Sequence, residues 1–170
     1  IIAAESGGIA DTVSVTVTAA PPPPPPLPST RFSEIHYDNF GTDVGEAIEV
    51  EGPAGTDLTG WSIVLYNGNG GAVYATVPLT GTIPDLCTGR GVISTSISGI
   101  QNGNPDGFAL ADATGTLVEF LSYGGAFTGV GGAANGVLSL DIGQAESSAT
   151  QAGQSLHRDN SGVWQPAATA

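Results

Sequence analysis

The sequence predicts an all-β protein: a β-sandwich preceded by an N-terminal β arm. Short apolar stretches alternate with polar residues at period two, and clusters of Gly, Asn, Asp and Pro separate them. No segment keeps the 3.6-residue period of an amphipathic helix. The chain has 170 residues, which is enough for one hydrophobic core and an appendage.

The charge balance excludes several classes of partner. The chain carries 16 acidic residues against 3 arginines and no lysine, a formal net charge of −13. It lacks the clustered cations that bind a phosphate backbone, so direct nucleic-acid binding is not expected. No apolar run approaches the length of a membrane span. An acidic, lysine-free composition rich in Thr, Ser and Gly predicts a secreted protein, extracellular or at a cell surface.

Residues 1–20 are predicted to form the β arm. Apolar and hydroxyl side chains alternate here, which places Val13, Val15 and Val17 on one face of a strand. An isolated hairpin is marginal in water, so these valines need a sheet to pack against. Two interpretations stay open. The arm either completes the sheet of a neighbouring copy, as in donor-strand exchange, or is the tail of a preceding immunoglobulin-like domain.

Residues 21–30 are predicted to be a polyproline linker. Prolines run without interruption from Pro21 to Pro26, and Pro28 follows Leu27. Proline fixes φ and lacks an N–H, so this stretch favours the polyproline II conformation. Residues 19–30 would span roughly 37 Å at about 3.1 Å per residue. The linker therefore holds the arm away from the domain that follows.

Residues 31–170 are predicted to form the sandwich, with a long ordered loop at residues 124–153. The strand after Gly60 is apolar on both faces, as a central strand would be, and Trp61 is expected to be its core tryptophan. Trp164 is the better surface candidate, with the alternative that the last strand uses it to close the core. Eight strands are predicted: Phe32–Tyr37, Glu46–Glu51, Trp61–Tyr66, Ala72–Val77, Gly91–Ile97, Phe108–Ala111, Leu117–Ser122 and Gln154–Arg158.

Three groups of motifs carry a family resemblance. They are Phe32–Asn39 with Gly45–Val50; Asp57–Ile63; and Gln101–Leu110 with Phe120–Gly125 and Ser139–Gly143. Their order and spacing resemble the lamin-tail domain family in its bacterial secreted form. The resemblance implies an immunoglobulin-like β-sandwich and a role as an accessory module of secreted proteins, including extracellular nucleases. It implies no catalytic residues. The chain departs from the pattern at Gly124, where an acidic residue is expected.

Two loops are candidate Ca²⁺ sites, because Ca²⁺ takes six to eight oxygen ligands. The alternative for both loops is a turn whose side chains hydrogen-bond their own backbone. The second loop also copies the opening of a calcium-binding loop, but Ala113 stands where the closing glutamate is needed. The candidate ligands are Asp38, Asn39, Asp43 and Glu46 in the first loop and Asn102, Asn104 and Asp106 in the second.

Other chemistries find little support in the sequence. His36, His157 and Cys87 are too few and too scattered for a zinc site, and both histidines are expected to be hydrogen-bonded sheet residues. A single cysteine forms no internal disulfide, and Cys87 is expected to be a small buried side chain. No serine lies in a Gly-x-Ser-x-Gly elbow. No catalytic residue is predicted.

The sequence thus predicts a non-enzymatic extracellular module that assembles into a fibre. Each copy would donate its N-terminal arm to the next, giving a head-to-tail homopolymer, with Ca²⁺ as a candidate cofactor. The alternative is an accessory module, for adhesion or ligand binding, of a larger secreted enzyme such as an extracellular nuclease.

Overall fold

The computed structural model describes residues 29–169. The predicted arm with Val13, Val15 and Val17, and nearly all of the proline linker, lie outside the described residues. The predicted sandwich domain is described almost completely.

Ten strands form two five-stranded sheets, so the all-β class and the sandwich architecture are confirmed. The first sheet has the order β10-β9-β1-β2-β5 and the second β4-β3-β6-β7-β8. All neighbours are antiparallel except β7 and β8. The strands are β1 (Arg31–His36), β2 (Ala47–Pro53), β3 (Ser62–Asn67), β4 (Val73–Pro78), β5 (Arg90–Ser96), β6 (Asp106–Ala111), β7 (Leu117–Tyr123), β8 (Leu140–Asp141), β9 (Gln154–Arg158) and β10 (Trp164–Thr169).

All eight predicted strands are present, with ends that differ by no more than two residues. The alternation in β2 turns Ile48 and Val50 into the core, while its glutamates stay partly exposed. Two strands were not predicted. β8 has only 2 residues. β10 contains Pro166, which is tolerated because β10 is an edge strand and needs no N–H on its outer side.

The predicted loop at residues 124–153 contains β8 and also adds a third layer over the second sheet. Phe127 and Ala134 are buried against Tyr66 and Phe120, which point out of the sandwich. The Tyr66 hydroxyl accepts a hydrogen bond from the Ala134 N–H at 3.0 Å and donates one to the Gly131 carbonyl at 3.0 Å. This layer explains why β3 is apolar on both faces.

Trp164, and not Trp61, is the core tryptophan, as the alternative for Trp164 allowed. Trp164 is 6% exposed and lies in the core, with its ring centroid 6.4 Å from that of Phe108. Trp61 is only partly buried and packs against the margin of the core. The expectation was wrong because Trp61 precedes β3 at the end of the sheet, whereas Trp164 begins a strand that closes the sandwich.

A buried ion pair joins the two sheets. Arg158 of β9 and Glu119 of β7 have side chains that are 2% and 9% exposed, and their charged atoms are 2.7 Å apart. Arg158 also donates to the Phe32 carbonyl at 3.0 Å. The other two arginines pair with Glu51 near the surface, so all three arginines of the chain are bound to glutamates.

The strand registers give the sandwich two distinct ends. We call the end where β1 finishes the upper end and the end where β1 begins the lower end. Connections 37–46, 97–105 and 142–153 all lie at the upper end. Ser29 lies at the lower end, where its carbonyl accepts a hydrogen bond from Arg90 of edge strand β5 at 3.1 Å. The chain therefore enters the domain at the lower end of the first sheet, at the start of β1.

The Glu119–Arg158 pair yields a stability prediction. Replacing Glu119 with Ala leaves the buried Arg158 guanidinium without its partner, which should lower the free energy of unfolding by about 3–5 kcal/mol. Glu51→Ala, which removes the two pairs with Arg31 and Arg90 nearer the surface, is the control and should cost about 1 kcal/mol or less for each pair. Urea unfolding followed by tryptophan fluorescence measures both. Equal losses in the two variants would contradict the role assigned to the buried pair.

Candidate functional site

The upper end brings the two predicted calcium loops together. Between them lies a cleft of about 450 Å³, which the connection before β9 closes from the third side. Its lining includes Asp38 and Asp43 of the first loop, Asn102 and Asn104 of the second, and Glu146 of the closing connection. This is the place where the most predicted site residues converge.

Glu146 anchors the closing connection to the end of β1. The buried Glu146 carboxylate accepts hydrogen bonds from the backbone N–H groups of Tyr37 at 2.6 Å and Asp38 at 2.9 Å. It also lies 2.9 Å from Nδ1 of His36. In return, the Glu146 N–H donates to the Tyr37 hydroxyl at 2.7 Å. The role of Glu146 was not predictable from the sequence, because a single acid in a stretch rich in Gly, Ala and Ser gives no signal.

His36 faces hydrogen-bond acceptors on both ring nitrogens. Its Nδ1 faces Glu146, and its Nε2 lies 3.2 Å from Oδ1 of Asn39 and 3.1 Å from the Val44 carbonyl. The Asn39 amide is oriented because its Nδ2 donates to the carbonyls of Phe40 and Thr42. Two N–H donors are needed to satisfy these acceptors, so the geometry favours the imidazolium form.

The electrostatics of the pair agree with this assignment. Burial alone would lower the pKa of His36, but the hydrogen bond and charge of Glu146, with the contacts to Asn39 and Val44, raise it above its ordinary value. Burial raises the pKa of Glu146, while hydrogen bonds from Tyr37, His36 and Asp38 act against the rise. The expected hydrogen-bonded sheet role of His36 is confirmed.

Three of the predicted calcium ligands hold backbone, although each also borders a surface cavity. Asn39 is buried and organises its own loop, accepting the Val44 N–H at 2.9 Å. Glu46 accepts the N–H groups of Gly99 and Ile100, each at 2.8 Å. The buried Asp106 accepts the N–H groups of Gly68 at 2.9 Å and Gly103 at 2.7 Å. These are the turn-stabilising roles of the alternative interpretation.

The other four, Asp38, Asp43, Asn102 and Asn104, line the cleft beside Asn39, and Asp43 also accepts the Asn39 N–H at 3.1 Å. Burial raises the pKa of Asp38, as do the charge of Asp43 and a hydrogen bond with it, whereas a hydrogen bond from Asn102 lowers it. Within residues 29–169, no three His, Cys, Asp or Glu side chains converge on one point. A cation in this cleft would need amide oxygens, carbonyl oxygens and water to complete its coordination.

The presence of glycine at position 124 has a steric reason. Its φ is +73°, and a Cβ at this position would lie 1.5 Å from Oδ1 of Asn104. The acidic residue expected here from the lamin-tail resemblance therefore does not fit while Asn104 occupies the space. Asn104 takes the place beside β7 that such a side chain would need.

The remaining candidate side chains lie elsewhere. Cys87 is exposed in the turn before β5, so the expectation that it is buried was wrong. The backbone groups of Cys87 and Arg90 hydrogen-bond to each other in this turn, and the Cys87 side chain stays outside the core.

Another cavity, of about 240 Å³, lies on the outer face of the first sheet and is lined by Glu34, His36 and Glu49 among others. Burial, followed by the charge of Glu34, raises the pKa of Glu49.

No family model, curated protein or solved structure matches this chain. The lamin-tail resemblance therefore stays a prediction that rests on the sequence motifs. Residues 29–169 contain no helix long and apolar enough to cross a membrane.

The His36–Glu146 pair predicts a pH-dependent stability. The folded-state pKa of His36 lies above its ordinary value of 6.5. Its contribution is therefore fully present below about pH 6.5 and is lost as the pH rises through the folded-state pKa. The melting temperature should fall over that range. His36→Gln should remove this fall and lower the free energy of unfolding by about 1–3 kcal/mol at pH 6. His157→Gln, the matched control, should show the same fall in melting temperature as the unaltered protein. A fall that persists in His36→Gln would contradict the assignment.

The cleft predicts a response to Ca²⁺. Millimolar Ca²⁺ should raise the melting temperature by several degrees, because a ligand that binds only the folded state stabilises it. The double variant Asp38→Asn/Asp43→Asn should lose the rise, whereas Asp85→Asn, in a turn at the lower end, should keep it. Differential scanning calorimetry measures the three proteins. Equal rises in all three would show general charge screening and no site in the cleft.

Proposed function

We propose that this chain is a non-enzymatic, extracellular, immunoglobulin-like module of the lamin-tail type that polymerises head to tail by donating its N-terminal β arm to a neighbouring copy. The observation that carries the proposal is that the described domain has its sheets and core without the N-terminal arm. Residues 31–169 supply all ten strands of the described domain and its core. The segment that precedes them is predicted from the sequence to be a strand with a valine face, followed by a proline linker.

The chemistry of the arm supports docking on another sheet. Burying Val13, Val15 and Val17 would contribute on the order of 5–8 kcal/mol. Main-chain hydrogen bonds to an edge strand would add specificity of register. Ca²⁺ between facing carboxylates would reduce repulsion between copies of a chain whose formal net charge is −13.

The place where the chain joins the domain also supports transfer to another copy. Ser29 is held at the lower end beside Arg90, and Thr30 packs against Gly52. From this fixed point, the predicted linker would carry the arm roughly 37 Å away. A small domain is about that wide, so the arm would reach beyond its own sandwich.

Removing residues 1–20 tests the proposal. Full-length chain should form filaments visible by negative-stain electron microscopy, and the shortened chain should stay monomeric by sedimentation velocity. Val15→Asp should block polymerisation because it places a charge on the apolar face. Thr16→Asp, on the opposite face of the same strand, is the matched control and should still polymerise. Filaments from the shortened chain would overturn the proposal.

The second candidate is an accessory module, for adhesion or ligand binding, of a larger secreted enzyme such as an extracellular nuclease. The cleft between the two upper-end loops favours it, because oxygen-bearing side chains there face solvent. The arm would then be the tail of a preceding immunoglobulin-like domain. Full-length chain that remains monomeric at every concentration would favour this function over the fibre.

A further inference from the structure

The two sheets leave an apolar gap along one side of the sandwich. Leu138 and Leu140 are 66% and 65% exposed. Leu140 pairs with the core residue Leu121, so both side chains point to the inner face of the second sheet. Ile142, two residues further on, reaches the core. Leu138 and Leu140 are thus core-facing side chains that nothing in residues 29–169 covers fully.

Packing across the sandwich shows which strands border this gap. β1 lies opposite β6, since the ring centroids of Phe32 and Phe108 are 4.7 Å apart. β9 lies opposite β7 through the Arg158–Glu119 pair. The next strands outward, β10 and β8, therefore face each other at the same side. We call this side the β8–β10 seam, defined by Leu138, Leu140 and the outer edges of β8 and β10.

The backbone at the seam is also open to a further strand. Among the described residues, β8 pairs with β7 only at Leu121 and Ser122, so the first half of β7 has no strand on the side away from β6. β10 is the edge of the first sheet and pairs only with β9. An added strand would find unpaired backbone groups and apolar side chains in the same place.

The opposite side of the sandwich is better closed. The inward side chains of its edge strands, such as Val77 of β4 and Ile93 of β5, are partly buried and pack against the core. Leu79 and Ile83 bury the lower part of this side, and Ile97 and Ile100 bury the upper part. The large exposed side chains that face the core are thus at the β8–β10 seam.

The chain enters the domain at the start of β1, which is two strands away from β10 in the first sheet. Two inter-strand spacings amount to about 10 Å. The Ser29 carbonyl accepts a hydrogen bond from Arg90 of β5, so the chain approaches β1 from the side away from the seam. A linker predicted to extend roughly 37 Å would carry the arm well past its own seam, and the seam of a neighbouring copy is then the one within reach.

We infer that the β8–β10 seam is the acceptor for residues 11–18 of a neighbouring copy, with Val13, Val15 and Val17 covering Leu138 and Leu140. This inference rests on the proposed function and names its binding surface. The apolar side chains repeat every second residue on both partners, as strand pairing requires. Donor and acceptor are different surfaces of the domain, so the contact is heterologous and each addition leaves a new seam free.

Charge at the seam tests the inference. Leu138→Glu/Leu140→Glu should raise the protein concentration needed for polymerisation by at least about tenfold, because each buried leucine contributes that much or more to the association constant. Val130→Glu is the matched control: Val130 is 53% exposed in the same loop but pairs with Ala72, away from the seam. Unchanged melting temperatures would show that the variants fold. Normal polymerisation of the double variant would overturn the inference.

Disulfide cross-linking locates the arm directly. In a Cys87→Ser background, Val15→Cys/Leu140→Cys should give covalent ladders between copies under oxidising conditions. Val15→Cys/Thr95→Cys, which reports on the β5 edge, should give none. Ladders from Thr95 in normal filaments, or a link within one chain from Leu140, would overturn the seam as acceptor. Failure of the proposed function looks different: no filaments from the full-length chain, or filaments without residues 1–20.

Discussion

The upper end of this domain depends on one buried carboxylate. Glu146 accepts two backbone N–H groups that follow β1 and faces His36 on its third side. The Tyr37 N–H would be buried without a partner if Glu146 were absent, and a buried unpaired donor costs more than an ordinary hydrogen bond contributes. The connection that crosses between the two sheets is thereby held to β1, although it contains few apolar side chains of its own.

From this anchor, the shape of the cleft follows. Tyr37 stacks on Tyr123 with ring centroids 3.9 Å apart, which joins the end of β1 to the end of β7. The hydroxyl of Tyr123 donates to the Gln101 carbonyl and positions the loop that follows. Asn39 and Asp106 then fold the two loops internally. Asp38, Asp43, Asn102 and Asn104 line the cleft that these contacts leave open.

The fold was largely predictable because its signals are local. The period-two alternation of β2 and the doubly apolar β3 need only their own residues to be recognised. Features that depend on distant partners were not predictable. Trp164 is buried because Arg158 and the second sheet lie across from it, and Pro166 is tolerated because β10 happens to be an edge.

The same distinction applies to the site. The two acidic loops were recognised from composition, and the structure brings them together because the β1–β2 and β5–β6 connections share the upper end. Whether a given oxygen holds backbone or faces the cleft could not be predicted, because that depends on which N–H groups lie nearby. Glu46 and Asp106 are engaged by residues far along the chain. Glu146 lies more than 100 residues from its partner His36.

The three arginine–glutamate pairs have a consequence for the whole surface. Every fixed positive side chain that arginine or lysine could supply is already neutralised within the domain. The excess carboxylates are therefore balanced only by mobile counter-ions, whose atmosphere is about 8 Å thick at physiological ionic strength. Two such molecules approach each other through overlapping ion clouds, and the composition of the surrounding medium sets the distance at which they first attract.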